Sequence, residues 1–348
     1  MWKKRMGGRA KPALVAVSLA VASLVAQGCG DRTPETGVRR PAPAEEHPPL
    51  RIALAREPLC ALLALAVERG YLAEEGVAAK TVDHYPSGKV ALAGLLEGEV
   101  DVAPCAETPI VFRSFERQDF RIVATLGVSD NEPRVVARRD RGIGQPADLR
   151  GKRVATQRAS AVHYFLYLFL LRHGMSEADV DLSFLTAEEL PDALGRGTID
   201  AFSMREPFVG KAQALVGEDA VVFAEPGLYV KTFNLVVRED LVASRPEMLR
   251  ALLRALLRAE TFARRHPADA IEALADWMGT DRAIVGQVWP ELELRVSLGQ
   301  GLLGVLEDQA RWAMQRGFIE AERAPNYLDF VDPEPLAAVK PGAVTLIR

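Results

Sequence analysis

Gly151-Lys152-Arg153-Val154-Ala155-Thr156-Gln157-Arg158-Ala159-Ser160-Ala161-Val162-His163-Tyr164-Phe165 is the stretch from which the fold can be read. Residues 152–155 are short and partly β-branched, as in a strand entering a sheet, and residues 157–160 then turn the chain into the apolar, helix-spaced run 162–171. A strand ends where a helix begins. The first turn of such a helix has N–H groups without internal partners, and the aligned peptide dipoles put partial positive charge at that end. Ser160 can cap the helix and Arg158 stands two residues upstream, so an anion could be held here without any catalytic group. The same residues also fit a plainer reading, in which Ser160 only caps its own helix and Arg158 is solvated.

The pattern repeats outward in both directions. Upstream, residues 51–55, 77–82, 100–103 and 120–126 read as strands, with helical spacing over 59–73, 88–96 and 108–115 between them. Downstream, strands are expected at 180–185 and 199–202, and helices at 161–173, at 187–194 and from Pro207 to about residue 215. Alternation of this kind gives an α/β fold with parallel sheets covered on both faces, and ligands then sit beyond the carboxyl ends of the strands. One rim is made of Arg56-Glu57-Pro58 and Pro104-Cys105-Ala106-Glu107-Thr108, the other of Arg158, Ser160, Arg205 and Glu206. The extended segments 134–137 and 228–237 lie at the seams and are read as carrying the chain across and back, so the two rims face each other over a hinged cleft. Ser244-Arg245-Pro246-Glu247 has the form of a capping box, followed by the stripe Leu249, Leu252, Leu253, Leu256 and Leu257. Further helices, expected near 268–277, 282–289 and 301–316, pack on the first lobe.

Composition bounds these readings. With 348 residues, 49% of them hydrophobic, the chain can fill two compact units. Lys3, Lys4, Arg5, Arg9 and Lys11 precede an apolar run, 13–26, that is short for a bilayer span, which reads as an export signal. The signal ends on Gln27-Gly28-Cys29, which resembles the lipobox of bacterial lipoproteins and makes Cys29 the acylated first residue of the mature chain. Residues 29–49 then form a Pro-rich tether with too little apolar surface to fold. The net charge of −4 becomes more acidic once the basic signal is removed, which argues against nucleic acid as a partner. Cys60 and Cys105 flank neighbouring strands and are either paired or buried thiols. The five histidines lack ligand spacing, so no metal or other cofactor is expected, and no nucleophile elbow, phosphate loop or zinc motif occurs.

The order of segments resembles the solute-binding proteins of ATP-driven (ABC) importers, in the nitrate, sulfonate and taurine group that includes the thiamine-pyrimidine (NMT1/THI5-like) binders. The pieces that carry the resemblance are Ala66-Val-Glu-Arg-Gly-Tyr-Leu-Ala-Glu-Glu-Gly76, Gly98-Glu-Val-Asp-Val-Ala103, Asp148-Leu-Arg-Gly-Lys-Arg-Val-Ala155, His163-Tyr-Phe-Leu166, Gly197-Thr-Ile-Asp-Ala-Phe202 with Glu206-Pro207, and Arg245-Pro-Glu247. The resemblance implies a two-lobed type II periplasmic-binding-protein fold with two crossing hinge strands and C-terminal helices on lobe one. Lobe one would take 50–131 and 239–335, and lobe two 132–238. It also implies ligand contacts from Arg56 and Glu57, from Cys105, Ala106, Glu107 and Thr108, from Arg158, Ala159, Ser160 and His163, and from Arg205 and Glu206.

The chain departs from this group at Arg56, where many relatives carry an aromatic residue, and at Arg205, where many carry tryptophan before the Glu-Pro dipeptide. With Arg158 these suggest an anionic ligand group held by charge-assisted bonds. Alternatively Arg56 pairs with Glu57 or Glu107, and Arg205 with Glu206, without ligand. Glu107 and Glu206 could instead meet an amine or amide, and His163 and Tyr164 either touch ligand or pack. The expectation is a non-catalytic, monomeric, lipid-anchored periplasmic receptor that delivers a small anionic solute to ABC permease and ATPase subunits by hinge closure. That solute would be a sulfonate, nitrate, a bicarbonate-like anion or a small organic acid, with a pyrimidine precursor as the alternative. An enzyme on the same fold and an exported sensing domain are the alternative functions.

Overall fold

A computed structural model describes residues 48–347, so the expected signal, Cys29 and nearly all of the tether lie outside the described residues. The chain enters β1 (Leu50–Ala55), β2 (Ala79–Tyr85), β3 (Val102–Ala106) and β4 (Phe120–Ser129), with helices Ala61–Glu68, Gly88–Leu96 and Glu107–Ser114 between them. It then passes into β5 (Arg134–Arg138), β6 (Arg153–Thr156), β7 (Asp181–Phe184), β8 (Ala201–Met204) and β9 (Ala220–Phe223). It returns through β10 (Lys231–Arg238) and later adds β11 (Glu293–Gly299) and β12 (Val344–Thr345). Two sheets result, a seven-stranded one in the order β12-β11-β4-β10-β3-β1-β2 and a five-stranded one in the order β7-β6-β8-β5-β9.

Within each sheet the strands followed by helices are parallel, as the alternation requires: β1 with β2 and β3, and β6 with β7 and β8. The strands beside the crossings are antiparallel. β10 lies between β3 and β4, and β5 between β8 and β9. The crossings fall at residues 130–133 and 224–230, next to the extended segments assigned to them from sequence. An antiparallel β10 brings its first residue, Lys231, to the edge where β1 and β3 end.

The expected helical tail is present as Pro246–Arg265, Pro267–Met278, Arg282–Val288 and Gly301–Gln315. Leu249, Leu252, Leu253 and Leu256 are buried, whereas Arg254 and Arg258 pair with Glu75 and Glu74 rather than standing free in water. No capping box forms at Ser244: its hydroxyl donates to the Asp240 carbonyl, closing the preceding helix Glu239–Ser244, and Arg245 takes the N-cap position. β3 runs past Pro104, where a strand was expected to stop. Its register with β1 is at Ile52 and Val102, so the proline, which has no N–H, lies beyond that pairing. Cys105 and Ala106 are therefore strand residues and not loop residues. Both Cys60 and Cys105 are buried free thiols. Among the described residues no helix is long and apolar enough to cross a membrane.

Gly88 begins the helix after β2, and that helix packs so closely on β3 that a Cβ there would lie 2.9 Å from both the Cys105 Cα and the Pro104 carbonyl oxygen. Backbone cannot yield as a side chain does. Gly88→Ala is expected to cost about 1–3 kcal/mol in urea unfolding. Gly304→Ala, inside an exposed helical turn with nothing within 4 Å, should instead gain about 0.5–1 kcal/mol.

Candidate functional site

The carboxyl ends of the parallel strands from both sheets meet around one small cavity, lined by Glu57, Ser87, Ala106, Ser160, Arg205 and Lys231, with Lys89 beside them. Ser87, Ala106 and Ser160 are the N-cap residues of the helices Gly88–Leu96, Glu107–Ser114 and Ala161–Arg172, so three helix N-termini point at the same space. Each brings partial positive charge and first-turn N–H groups that have no partner within the helix itself. The cavity is small, about 20 Å³, with room for about one water.

Four charges are buried here. Lys231 Nζ donates to Glu57 Oε2 at 2.9 Å and to Glu132, a residue of the first crossing. Arg205, from the loop after β8, brings its Nε to 2.9 Å from Glu57 Oε2, although the N–H is not aimed along that line, and its Nη2 reaches the Pro86 carbonyl oxygen at 3.5 Å. The Gly88 N–H donates to Glu57 Oε1 at 2.7 Å. Burial pushes the Glu57 carboxyl up, but Arg205, Lys231 and the Gly88 N–H reverse this and hold it at about 2. Burial likewise disfavours the Lys231 ammonium, and Glu132 and Glu57 restore it. Since Glu57 belongs to the larger sheet's rim and Arg205 to the smaller one's, this contact ties the two sheets together.

Lys89 makes a second tie. Its Nζ donates to the Arg158 carbonyl oxygen at 2.5 Å, from one rim to the other. Burial and the nearby Arg113 and Arg158 cations push its ammonium down. Among the described residues no carboxylate pairs with it, so the quartet is balanced and Lys89 leaves one positive charge over.

Of the residues singled out from sequence, Glu57, Ala106, Ser160 and Arg205 come together at the cavity. The others do not. Ser160 holds the N-cap position, but its hydroxyl donates to the Gln157 carbonyl at 2.5 Å and makes no side-chain cap. Ala159 adopts φ 53°, a left-handed conformation that bends the loop. Arg158 offers only its carbonyl, while its guanidinium stands exposed over Phe184 and Phe318, 5.4 and 5.9 Å from their ring centroids. His163 faces inward: Nδ1 accepts the Ala159 N–H at 3.3 Å and Nε2 meets Glu177 at 2.9 Å, which puts the ring proton on Nε2. Arg316 holds Glu177 from the far side at 2.9 Å. His163 thus fixes the loop from behind. Glu206 accepts the Gly210 N–H at 2.9 Å, Arg56 stands exposed in an outer groove, and Cys105 lies within the sheet.

Glu107 and Thr108 are fully buried beneath the cavity, toward the C-terminal helices. Glu107 accepts from the Tyr229 hydroxyl, from Gln309 Nε2 at 2.8 Å, and from the Thr232 N–H and hydroxyl at 3.0 Å each. Despite these donors, burial pushes its carboxyl up to about 7. Tyr229 belongs to the second crossing, so Glu107 holds that crossing to the larger sheet.

Larger concavities lie elsewhere, and two of them bear on the site. One of about 1030 Å³ lies far from the rims, beside Phe115, Arg121, Glu239 and Asn326, where Arg121 is paired with Glu239. The other, about 690 Å³, opens outside the cavity and is built by both rims: Arg56 and Pro86 on one side, Pro207, Phe208 and Lys211 on the other, with Met278 and Ile284 closing it. The Arg205 guanidinium, 5.7 Å from the Phe208 ring centroid, separates groove from cavity. Lys89, Glu132 and Lys231 were missed from sequence; a lone lysine opening the apolar run Lys231–Arg238 was the signal available for Lys231.

Two mixed sheets, joined by two crossings and closing on charged loops, define the periplasmic-binding-protein fold. The alkanesulfonate-binding protein from Xanthomonas axonopodis pv. citri, solved bound to MOPS, superposes with a TM-score of 0.72 at 21% identity over 83% of this chain and 100% of that one. A desulfurization enzyme has the same fold, with a TM-score of 0.62 at 19% identity over 84% of this chain and 99% of the enzyme's. A Bacillus subtilis (strain 168) protein provisionally named as an aliphatic sulfonates-binding protein is 25% identical over 236 residues, 66% of this chain and 70% of its own length. The NMT1/THI5-like family model matches residues 58–270, and the chain belongs to that family.

Lys231→Met would leave Glu57 and Glu132 without their shared cation and should cost about 3–5 kcal/mol in urea unfolding. The Glu107 carboxyl predicts a pH effect of opposite sign to that of Glu57. Its folded value is raised from 4.5 to about 7, so the stability it contributes is full below 4.5 and is lost as pH rises through 7. Between pH 5 and 8 the wild-type chain should lose on the order of 3 kcal/mol relative to Glu107→Gln; parallel profiles would contradict this.

Proposed function

We propose that this chain is the extracytoplasmic solute-binding component of an ABC importer, anchored through an acylated Cys29, and that it captures a small organic monoanion, a sulfonate first among them, as its two sheets close. It works as a monomer, presenting its closed form to permease and ATPase subunits. The observation that carries this reading is Lys89, a half-buried cation on one rim that reaches the opposite rim and has no carboxylate partner among the described residues. One negative charge brought to that point, among three helix N-termini and beside Arg205, balances the cleft. The groove supplies the remaining chemistry. Phe208, Met278 and Ile284 offer apolar surface for a carbon skeleton, and Arg56 and Lys211 at its mouth attract an anion. The B. subtilis relative and the Xanthomonas structure, both named for sulfonates, agree with that chemistry.

The fold also serves an enzyme, and the withdrawal of both cysteines and of His163 from the cavity favours the receptor reading. Burial pushes the Cys60 thiol up to about 12 and the Cys105 thiol well above its usual value, so neither is a ready nucleophile. His163 is engaged by Glu177.

Titration calorimetry of the purified protein with straight-chain alkanesulfonates from methane to hexane tests the reading. One-to-one binding is expected, tightening by about 0.8 kcal/mol per methylene until the groove is filled. Lys89→Met should weaken every member by about 1.5–3 kcal/mol. Absence of binding across sulfonates, nitrate and small carboxylates would remove the proposal.

A further inference from the structure

The groove outside the cavity is wider than a slim solute needs. Its volume is about 690 Å³, whereas an apolar cavity of about 150 Å³ is enough to hold a benzene ring. Its walls are also stiff. Pro86, Pro207, Gly210, Ala214 and Gly279 have no rotamers with which to close over a thin chain, and a gap left beside such a chain forfeits contacts on that side.

One face of the helix Phe208–Val216 makes this room. Pro207, Gly210, Lys211 and Ala214 recur at intervals of three and four, so all turn to the groove. Gly210 stands where the helix passes Ile284: a Cβ there would lie 3.1 Å from Ile284 Cδ1 and 3.1 Å from Glu206 Oε2. Glycine weakens a helix relative to alanine, and space at the groove floor is what it supplies in return. At the inner end the Arg205 guanidinium lies 5.7 Å from the Phe208 ring centroid, a cation already set against an aromatic face.

We propose that the groove takes a ring: the solute is an aryl sulfonate, with its sulfonate beside Arg205 and Lys89 and its ring between Pro86 and Phe208, and Gly210 is the residue that keeps the floor open for that ring. This rests on the reading of the chain as a receptor for small organic monoanions, and narrows it. An aryl group matches these walls. Its faces pack on proline and phenylalanine, its π-system meets the Arg205 cation, and its rigidity means that fewer rotors are frozen than in an alkyl chain of equal carbon number. Its single charge suits the one left over at Lys89.

The test is calorimetry of the full chain with methanesulfonate, hexanesulfonate and benzenesulfonate, the last two having the same number of carbons. Wild type should bind benzenesulfonate about tenfold or more tightly than hexanesulfonate. Gly210→Ala sets a methyl against Ile284 Cδ1 and should narrow the ratio of benzenesulfonate to methanesulfonate affinity about fivefold. Adding Ile284→Val, which removes that δ-methyl, should widen the ratio again. A wild type without the preference for benzenesulfonate overturns the proposal, and that comparison stands whether or not the variants fold. A ratio that Gly210→Ala leaves in place overturns it too, because a residue acting only through the fold would weaken both solutes alike. If no sulfonate binds, the receptor reading falls as well; if methanesulfonate and hexanesulfonate bind and benzenesulfonate gains nothing, the aryl proposal falls alone.

Discussion

A carboxylate buried between two sheets, with an arginine from one and a lysine from the other, is the interaction on which the rest of the structure depends. A charge in that position is tolerable only when its partners are fixed, and the topology fixes them. The antiparallel insertion of β10 between β3 and β4 delivers Lys231 to the rim, the tight turn after β1 delivers Glu57, and the loop after β8 delivers Arg205. Glu132, on the first crossing, closes the set. Sheet order, crossings and cleft electrostatics are therefore aspects of one arrangement, and a change at any member is felt by both sheets.

Around that quartet the remaining groups act as supports. His163 and Glu177 hold the Gln157–Ser160 loop from behind, with Arg316 of the chain's C-terminal part as backing. Glu107 gathers Tyr229, Thr232 and Gln309, and so links the second crossing to β10 and to the helix Gly301–Gln315. Neither group faces the cavity. They fix the rim loops in place around Lys89, which carries the one positive charge left over from the quartet.

Much of the fold is legible in the sequence because its periodicities are clean. The alternation of short apolar runs with helical spacing locates β1, β3, β6 and β8, and the sheet rule then points to their carboxyl ends and the loops that follow, where Glu57, Ala106, Ser160 and Arg205 are found. What escaped has physical reasons. β11 was overlooked although Leu292, Leu294, Val296 and Leu298 alternate with polar residues, because neighbouring helices drew the whole tail into one pattern. Lys231 escaped because segment 228–237 was read as a crossing, and only its antiparallel place in the sheet carries its first residue to the rim. His163 and Glu107 lie at sequence positions that face the cleft in outline, yet both turn inward, since each finds partners in distant parts of the chain that no local pattern announces.

The most direct measurement is a crystal structure of the protein with butanesulfonate. It should place the sulfonate oxygens within hydrogen-bond reach of Lys89 and Arg205, and the carbon chain against Phe208 and Ile284. A sulfonate bound in the outer cavity beside Arg121 and Asn326, or one seated in the cleft away from Lys89, would contradict it.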